Sequence, residues 1–511
     1  MIESSKPLPT SKGRLRRELS VWEAIGVSVA LMAPSMGVNI NPQGTAGLVG
    51  SAVPLTFLLG TAAVLLVAYT FVRLCQRFSH SGSVYGFVGA TLGPKAGAFS
   101  GWALAGTYIF YAIVTTAAAG IFVGNLIRTS GLWADAPDWI AFPVAAVLLL
   151  LVAFVATRPA RGGTRLLLLV EVLTVGLILF VIVVVTVRLL THTAPRDLSF
   201  DPSVLSLSAE ADPSMLFLGV VFAFLSFAGF EAAATLGEEA KNPRKDIPRA
   251  ILGTAAFGGI FFVLVTAIQV MGFGADAEGM NAFTSSGSLT GDLAVAYISP
   301  IVGTIITIGA AVSAVGCALA CVVGASRLIF ALSRDGLGPT ALGNVDEHHG
   351  VPQRAALAAS AGVLVAILIA WLAVGSQPSE LFTTSGTAGT LILLVAYILA
   401  TLGALYLLFI SKKAPRTVKR WEVAIPVAAL VVLAYTVFRN IVPLPVGAAL
   451  WGPALALGWL VINLIVVLAR GKAAREAGTL LMQADGIGPD NEAPVRASRS
   501  SMEATVGGDH A

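Results

Sequence analysis

Charged side chains are what this chain has least of. They make up 12% of its 511 residues while 56% are apolar, against about 25% charged in an ordinary soluble domain. A water-soluble fold could not hide that much apolar surface, and the mean hydropathy of +0.85 says the same. Cysteine is scarcer still. Cys75, Cys317 and Cys321 give neither a disulfide framework nor a paired metal spacing; Cys317 and Cys321, one turn apart in one apolar segment, read as small packing residues. The five histidines, His80, His192, His348, His349 and His510, fall in loops or a tail. The metal-spaced set or nucleophile–base pair that a membrane enzyme needs is therefore missing from the apolar segments. No enzyme activity and no cofactor or metal are expected. The chain also lacks the filter-like loop or ring-forming repeat of a channel. A small excess of base, +4 with a pI near 9.0, is spread along the edges of the apolar segments, which argues against a nucleic-acid partner.

What the chain has in abundance is long apolar runs. Crossing about 30 Å of hydrocarbon takes roughly 20 residues of helix, and twelve stretches qualify: 22–47, 53–73, 98–127, 139–157, 165–190, 214–238, 250–274, 293–332, 355–374, 380–410, 421–441 and 447–469. The expected class is an all-α integral membrane protein embedded in a lipid bilayer. Turn-rich or charged separators such as Ser79–Gly82, Arg158–Gly163, Asn242–Lys245 and Lys412–Lys419 divide the stretches. The eighth is long enough that it must tilt strongly or project beyond the bilayer. Cytoplasmic loops hold the excess of lysine and arginine. With the N-terminus inside, only Arg128, Arg188, Arg196 and Arg439 of the 32 basic residues fall outside, so both termini are expected in the cytoplasm and the protein in the plasma membrane. No cleavable signal peptide is expected. The organisation anticipated is a polar, disordered tail at 1–20, a core of ten helices at 21–410, two further helices at 411–470 and a second disordered tail at 471–511.

Two of the segments are interrupted near their middles. The first carries Ala33-Pro34-Ser35-Met36-Gly37, followed by Asn39 and Asn41; the sixth carries Ser226-Phe227-Ala228-Gly229-Phe230-Glu231. Proline removes a backbone donor and glycine weakens a helix by about 1 kcal/mol. Such breaks persist in a bilayer only where they line an enclosed cavity. The breaks stand five segments apart, so a five-helix repeat would start its second copy from the opposite side of the membrane. Paired broken helices in inverted repeats point to a transporter's central site, with half-helix N-termini facing anions and C-termini facing cations. A zwitterion suits that geometry.

Embedded acids are functional candidates because a carboxylate in the bilayer is costly unless it is protonated, paired or hydrated. Glu171 and Glu231 qualify. Glu231 adjoins the second break and reads either as a coupling or gating acid or as a neutral acid bonded to the broken backbone. Glu171 reads as a coupling residue, or as a partner of Arg165 or of a neighbouring helix. Tyr108, Tyr111, Phe224, Phe227 and Tyr397 are the aromatics that could shape a side-chain pocket. Between Leu293 and Ser326 no adjacent hydroxyl pair occurs, which disfavours sodium coupling and leaves proton symport or exchange.

Three stretches carry a family resemblance: Gly229-Phe230-Glu231 with Glu238-Glu239-Ala240-Lys241-Asn242-Pro243-Arg244-Lys245-Asp246-Ile247-Pro248-Arg249; Ser326-Arg327-Leu328-Ile329-Phe330-Ala331-Leu332-Ser333-Arg334-Asp335-Gly336-Leu337-Gly338-Pro339; and, more weakly, Ser81-Gly82-Ser83-Val84-Tyr85 with Leu92-Gly93-Pro94 and Gly101-Trp102. In these the chain resembles the amino acid–polyamine–organocation superfamily of permeases. The resemblance implies a five-plus-five inverted repeat with broken helices 1 and 6 plus two additional helices, and a small-molecule substrate, an amino acid or amine. It implies that backbone N–H groups of Ser35, Met36 and Gly37 meet a substrate carboxylate, and that carbonyls of Leu225, Ser226 and Ala228 meet its amino group, with Phe224 or Phe227 closing the site. The first break departs from the family's Gly-x-Gly form. The function implied is secondary active transport, most readily proton symport, with an exchanger of the same fold or a sensor without flux as alternatives.

Overall fold

The computed structural model describes residues 20–78, 83–158, 163–207, 212–236, 240–344, 351–411 and 418–473. The expected disordered tails, apart from Ser20 and residues 471–473, and the acidic pair Glu238 and Glu239 lie outside them. Ser20, assigned by sequence to the N-terminal tail, instead caps the first helix. Its hydroxyl accepts from Glu23 N at 3.3 Å and its own N–H donates to Glu23 Oε2 at 2.7 Å, a reciprocal pair that satisfies two donors a helix start leaves open.

The regular secondary structure of the described residues is helical, with no strand. The first half of the chain contains α1 (Val21–Met32), α2 (Pro34–Val49), α3 (Val53–Arg77), α4 (Ser83–Leu92), α5 (Pro94–Thr129), α6 (Ala141–Ala156), α7 (Gly163–Leu190) and α8 (Leu216–Phe227). The second half contains α9 (Pro243–Phe273), α10 (Ala277–Thr284), α11 (Leu289–Tyr297), α12 (Pro300–Arg334), α13 (Gln353–Leu368), α14 (Pro378–Leu405), α15 (Ala424–Arg439) and α16 (Trp451–Ala469). Among the described residues ten helical stretches are long and apolar enough to cross a bilayer, where the sequence reading expects twelve. The difference has two sources. Val21–Arg77 forms one run of 57 residues, which as a single helix would measure about 86 Å, nearly three times the hydrocarbon thickness. The sixth stretch reaches only from Pro213 to Phe227 as apolar helix, because the chain leaves the helix there. The eighth stretch is not a single helix of about forty residues: the chain kinks at Ile298, and Ser299 and Pro300 cap and start a separate helix.

Helices sort by what surrounds them. In α5, α12 and α14 more than 60% of the most apolar window is buried, against 39% or less in α6, α7, α13, α15 and α16. The outer helices present Leu150, Phe154, Val172, Leu173, Val183, Leu372, Val431 and Ile465 outward. A continuous apolar surface of that kind is stable against lipid and not against water. Inside, α3 packs along α9, α5 lies between α12 and α14, and α2 lies against α8. Small residues on these faces let the backbones approach: a Cβ on Gly60 would stand 2.5 Å from Ala223 Cβ. This packing holds the two interruptions at the centre of the bundle.

Candidate functional site

The first break is a single residue wide. Ala33 adopts φ 46°, ψ 58° and belongs at once to the end of α1 and the start of α2. Pro34 explains why the helix cannot run through, since it disfavours the α conformation in the residue before it and offers no N–H to the preceding ladder. Holding a non-glycine residue in the left-handed region costs on the order of 1–3 kcal/mol and persists only where the surroundings enforce it. Ala33 is fully buried.

The polar groups freed by the break have found partners. Leu31 O accepts from the Cys317 thiol at 3.3 Å. At the start of α2, Ser35 N donates to Glu171 Oε1 at 2.8 Å, Met36 N donates to Ser313 Oγ at 3.3 Å, and Gly37 N donates to Ala33 O at 2.9 Å. A carboxylate placed at a helix N-terminus is stabilised by the aligned peptide dipoles, by up to ~2 kcal/mol in partly buried sites. Glu171, which the sequence reading pairs with Arg165 or a neighbouring helix, thus reaches from α7 to the beginning of α2.

The second break follows Phe227, where the chain turns through Ala228 to Glu231 before a short helical turn at 232–236. Ala228 N donates to Leu225 O and Phe230 N to Phe227 O, at 3.3 and 3.1 Å, and Ala233 N donates across to Ser28 Oγ at 2.9 Å. Gly229 sits at φ 101°, and a Cβ there would lie 2.9 Å from Leu31 Cγ and 3.1 Å from the Leu31 carbonyl carbon. Glycine is needed both for that backbone conformation and for that closeness. The two breaks therefore touch.

Where they touch the bundle encloses a cavity of about 30 Å³, lined among others by Met36, Tyr108, Tyr111, Leu225, Ala228 and Glu231. Among the described residues Glu231 is its only acid, and no lysine, arginine or histidine lines it. Glu231 Oε2 and the Tyr397 hydroxyl are both buried and face one another without closing a hydrogen bond. Buried polar atoms in that condition are rare. Tyr397 packs edge-on against Phe71 and Phe230, with centroids 5.5 and 6.0 Å away, which holds its ring beside the break.

Above the cavity lies a vestibule of about 980 Å³ on the face away from the lysine- and arginine-rich loops, with Gln43, Arg128, Asp138, Phe222, Glu380 and Arg439 on its walls. The partition between the two is thin: Phe222 lines the vestibule and Leu225 the cavity, about 4.5 Å apart along the axis of α8. Asn41 Nδ2 donates to Ser226 Oγ at 2.7 Å, pinning α2 to α8 at this level. Nearer the break, α2 is tied to α9 and to the α10–α11 region. Asn39 Oδ1 accepts from Ser288 Oγ and Thr290 N at 3.1 and 2.8 Å, and Gln269 Nε2 donates to Val38 O at 2.9 Å.

Of the residues singled out in sequence, Met36, Leu225, Ala228 and Glu231 meet at the cavity, together with Tyr108 and Tyr111. Ser35 and Glu171 bond to one another, and Ser226 holds Asn41. Gly37 faces Phe262. Phe227 turns from the cavity to stack edge-on with Phe262 at 5.4 Å, and Phe224 is buried in the general core. The sequence reading misses the α12 contribution. Ser313, Cys317 and Cys321 bond to Met36, bond to Leu31 and line the cavity. Their i, i+4, i+8 spacing, one stripe on one helix face, is the signal that could have found them.

A helical membrane protein whose two broken helices close on a polar cavity beneath a vestibule has the build of a transporter. The chain belongs to the amino acid permease family: the amino acid permease model matches residues 26–472. It is similar to the branched-chain amino acid permease BcaP of Lactococcus lactis, with 28% identity over 396 residues, 75% of this chain and 80% of that protein. It is also similar to the low-affinity putrescine importer PlaP of Escherichia coli, with 26% identity over 330 residues, 65% and 70% of the two chains. The methylthioribose transporter of Bacillus subtilis shares 27% over 368 residues, 68% and 75%. The protein is thus an integral membrane transporter and not an enzyme.

Proposed function

We propose that the chain is a secondary active transporter that carries amino acids or related amines across the plasma membrane by alternating access, as a proton symporter. The observation that carries this reading is the contact between the two helix breaks at a cavity lined by a buried acid, Glu231, one of whose oxygens closes no hydrogen bond. Substrate sits between Met36, Leu225 and Ala228, and Glu231 couples its binding to a proton. Movement of α8, which bears Phe224, Leu225 and Ser226, opens the partition toward the vestibule. Counting α1 with α2, and α8 with its following turn, as one crossing each gives twelve crossings with both termini cytoplasmic. Pairing of α3 with α9 and of α5 with α12 supports an inverted five-plus-five repeat, since these are the second and seventh and the third and eighth crossings. Two of the three similar proteins are named for cargoes of the proposed class, branched-chain amino acids and putrescine, while the cargo of the third, methylthioribose, lies outside it.

The test is uptake of radiolabelled amino acids and amines by the purified chain in liposomes, with and without an inward proton gradient and internal substrate. Accumulation driven by the gradient is expected. Flux that requires internal substrate would make the protein an exchanger, and binding without flux would make it a sensor.

A further inference from the structure

We infer that Glu171 occupies the place a substrate carboxylate would take, and that the cargo is a primary amine cation without a carboxylate. The inference rests on the central cavity being the transport site, as proposed above, and narrows the class of what enters it.

The start of α2 is the anion-binding end of the first break. Pro34 has no N–H, and the next three N–H groups donate to Glu171 Oε1, Ser313 Oγ and Ala33 O. Glu171 is 5% exposed and is brought to that end by α7, a different helix 136 positions along the chain. Ser313, whose hydroxyl accepts from Met36 N, also faces the same carboxyl. The protein's own acid is thereby bound at a helix N-terminus as an external carboxylate would be.

Independent evidence comes from the cavity. Glu231, 6% exposed, lines a space bordered by Tyr108 and Tyr111, with one of its oxygens closing no hydrogen bond and with no basic side chain among the described walls. An α-amino acid entering there would find the N–H groups at the start of α2 already bonded to Glu171, Ser313 and Ala33, and no basic side chain on the described walls to receive its carboxylate, which would then be buried unpaired at high cost. An ammonium group can donate to one Glu231 oxygen while the other carries the coupled proton, and tyrosine faces add cation–π attraction. The rest of the lining, Leu104, Leu225 and Leu393 among it, suits an apolar or methylene body.

Decarboxylated pairs test this directly. The full chain in liposomes would be assayed by competition and uptake with arginine and agmatine, ornithine and putrescine, leucine and isoamylamine, and tyrosine and tyramine. The expected result is at least one amine that competes ten times or more better than its parent amino acid. Glu171→Ala, which vacates the seat, should bring that ratio toward one, while Glu171→Gln, whose amide oxygen can still accept from Ser35 N, should change it less. Size-exclusion profiles report whether the variants fold, and the wild-type ratio decides the matter if they do not. An amino acid that competes as well as its amine in every pair overturns the inference and leaves the transporter reading standing. A wild-type amine preference unchanged in Glu171→Ala overturns the role of Glu171. Failure of every compound to bind overturns both readings.

Discussion

Opening the partition between vestibule and cavity requires α2 to part from α8, and the Asn41–Ser226 hydrogen bond at 2.7 Å is the polar link that resists it. The two ends of this bond are not equivalent. Ser226 Oγ also donates to Phe222 O at 2.9 Å, so Asn41→Ala leaves the hydroxyl with a partner and removes about 1 kcal/mol of net hydrogen bonding. Ser226→Ala instead strands the Asn41 amide, whose Oδ1 already lacks a partner, and a buried unsatisfied donor costs about 1–3 kcal/mol. That cost falls on the closed state alone, since the amide meets water once the partition opens. The open population should rise about fivefold in Asn41→Ala and by about 5- to 150-fold in Ser226→Ala, at 1.4 kcal/mol per factor of ten. Cys317 and Cys321 line the cavity and provide native reporters. In a Cys75→Ser background, their rate of modification by an impermeant methanethiosulfonate reagent added from the vestibule side should follow these factors, with the serine variant the faster. Equal, unaccelerated rates in both variants would refute the placement of the gate at this bond.

Glu231→Gln should keep membrane insertion and thermal stability but lose the acceleration of uptake by an inward proton gradient; an unchanged pH profile in liposomes would remove Glu231 from coupling. Gly229→Val combines an unfavourable positive φ, about 1–2 kcal/mol, with overpacking against Leu31, about 1–3 kcal/mol. It should lower the melting temperature in detergent and abolish uptake. Asp276 accepts from Gly279 N at the start of α10 and pairs with Arg196 at 2.8 Å, and these contacts hold its carboxyl below the usual range. Its contribution is therefore present above the unfolded value near 3.9 and is lost as pH falls through the lower folded one. Hydrogen exchange in residues 277–284 should be steady from pH 7 to 5, once corrected for the intrinsic rate, and quicken only in stronger acid.

The interruptions were legible in the sequence because proline and glycine act locally. Pro34 marks where α1 stops, and Gly229 is the residue that tolerates φ 101°. Burial of Glu231 followed from its apolar flanks. The division of the eighth stretch was hidden because the residues on both sides of Ser299 are apolar, so hydropathy runs straight through a capping serine and a proline that mark a new start. The destination of Glu171 was beyond reach for another reason. Hydrophobic periodicity says which face of a helix turns inward, but which groups wait opposite depends on the packing of α7 against α2, a contact between distant parts of the chain. Phe227 shows the same limit: its neighbourhood in sequence is the break, and its neighbourhood in space is Phe262.

The vestibule also has an electrical consequence. Water filling a funnel of about 980 Å³ carries the potential of the adjoining solution down to Phe222, so the transmembrane voltage drops across the packed half of the bundle instead of across its whole thickness. A cation waiting at Phe222 has crossed little of that field. With 100 mV worth about 2.3 kcal/mol per elementary charge, most of the electrical work on a charged cargo is done after loading, in the step that opens the opposite face.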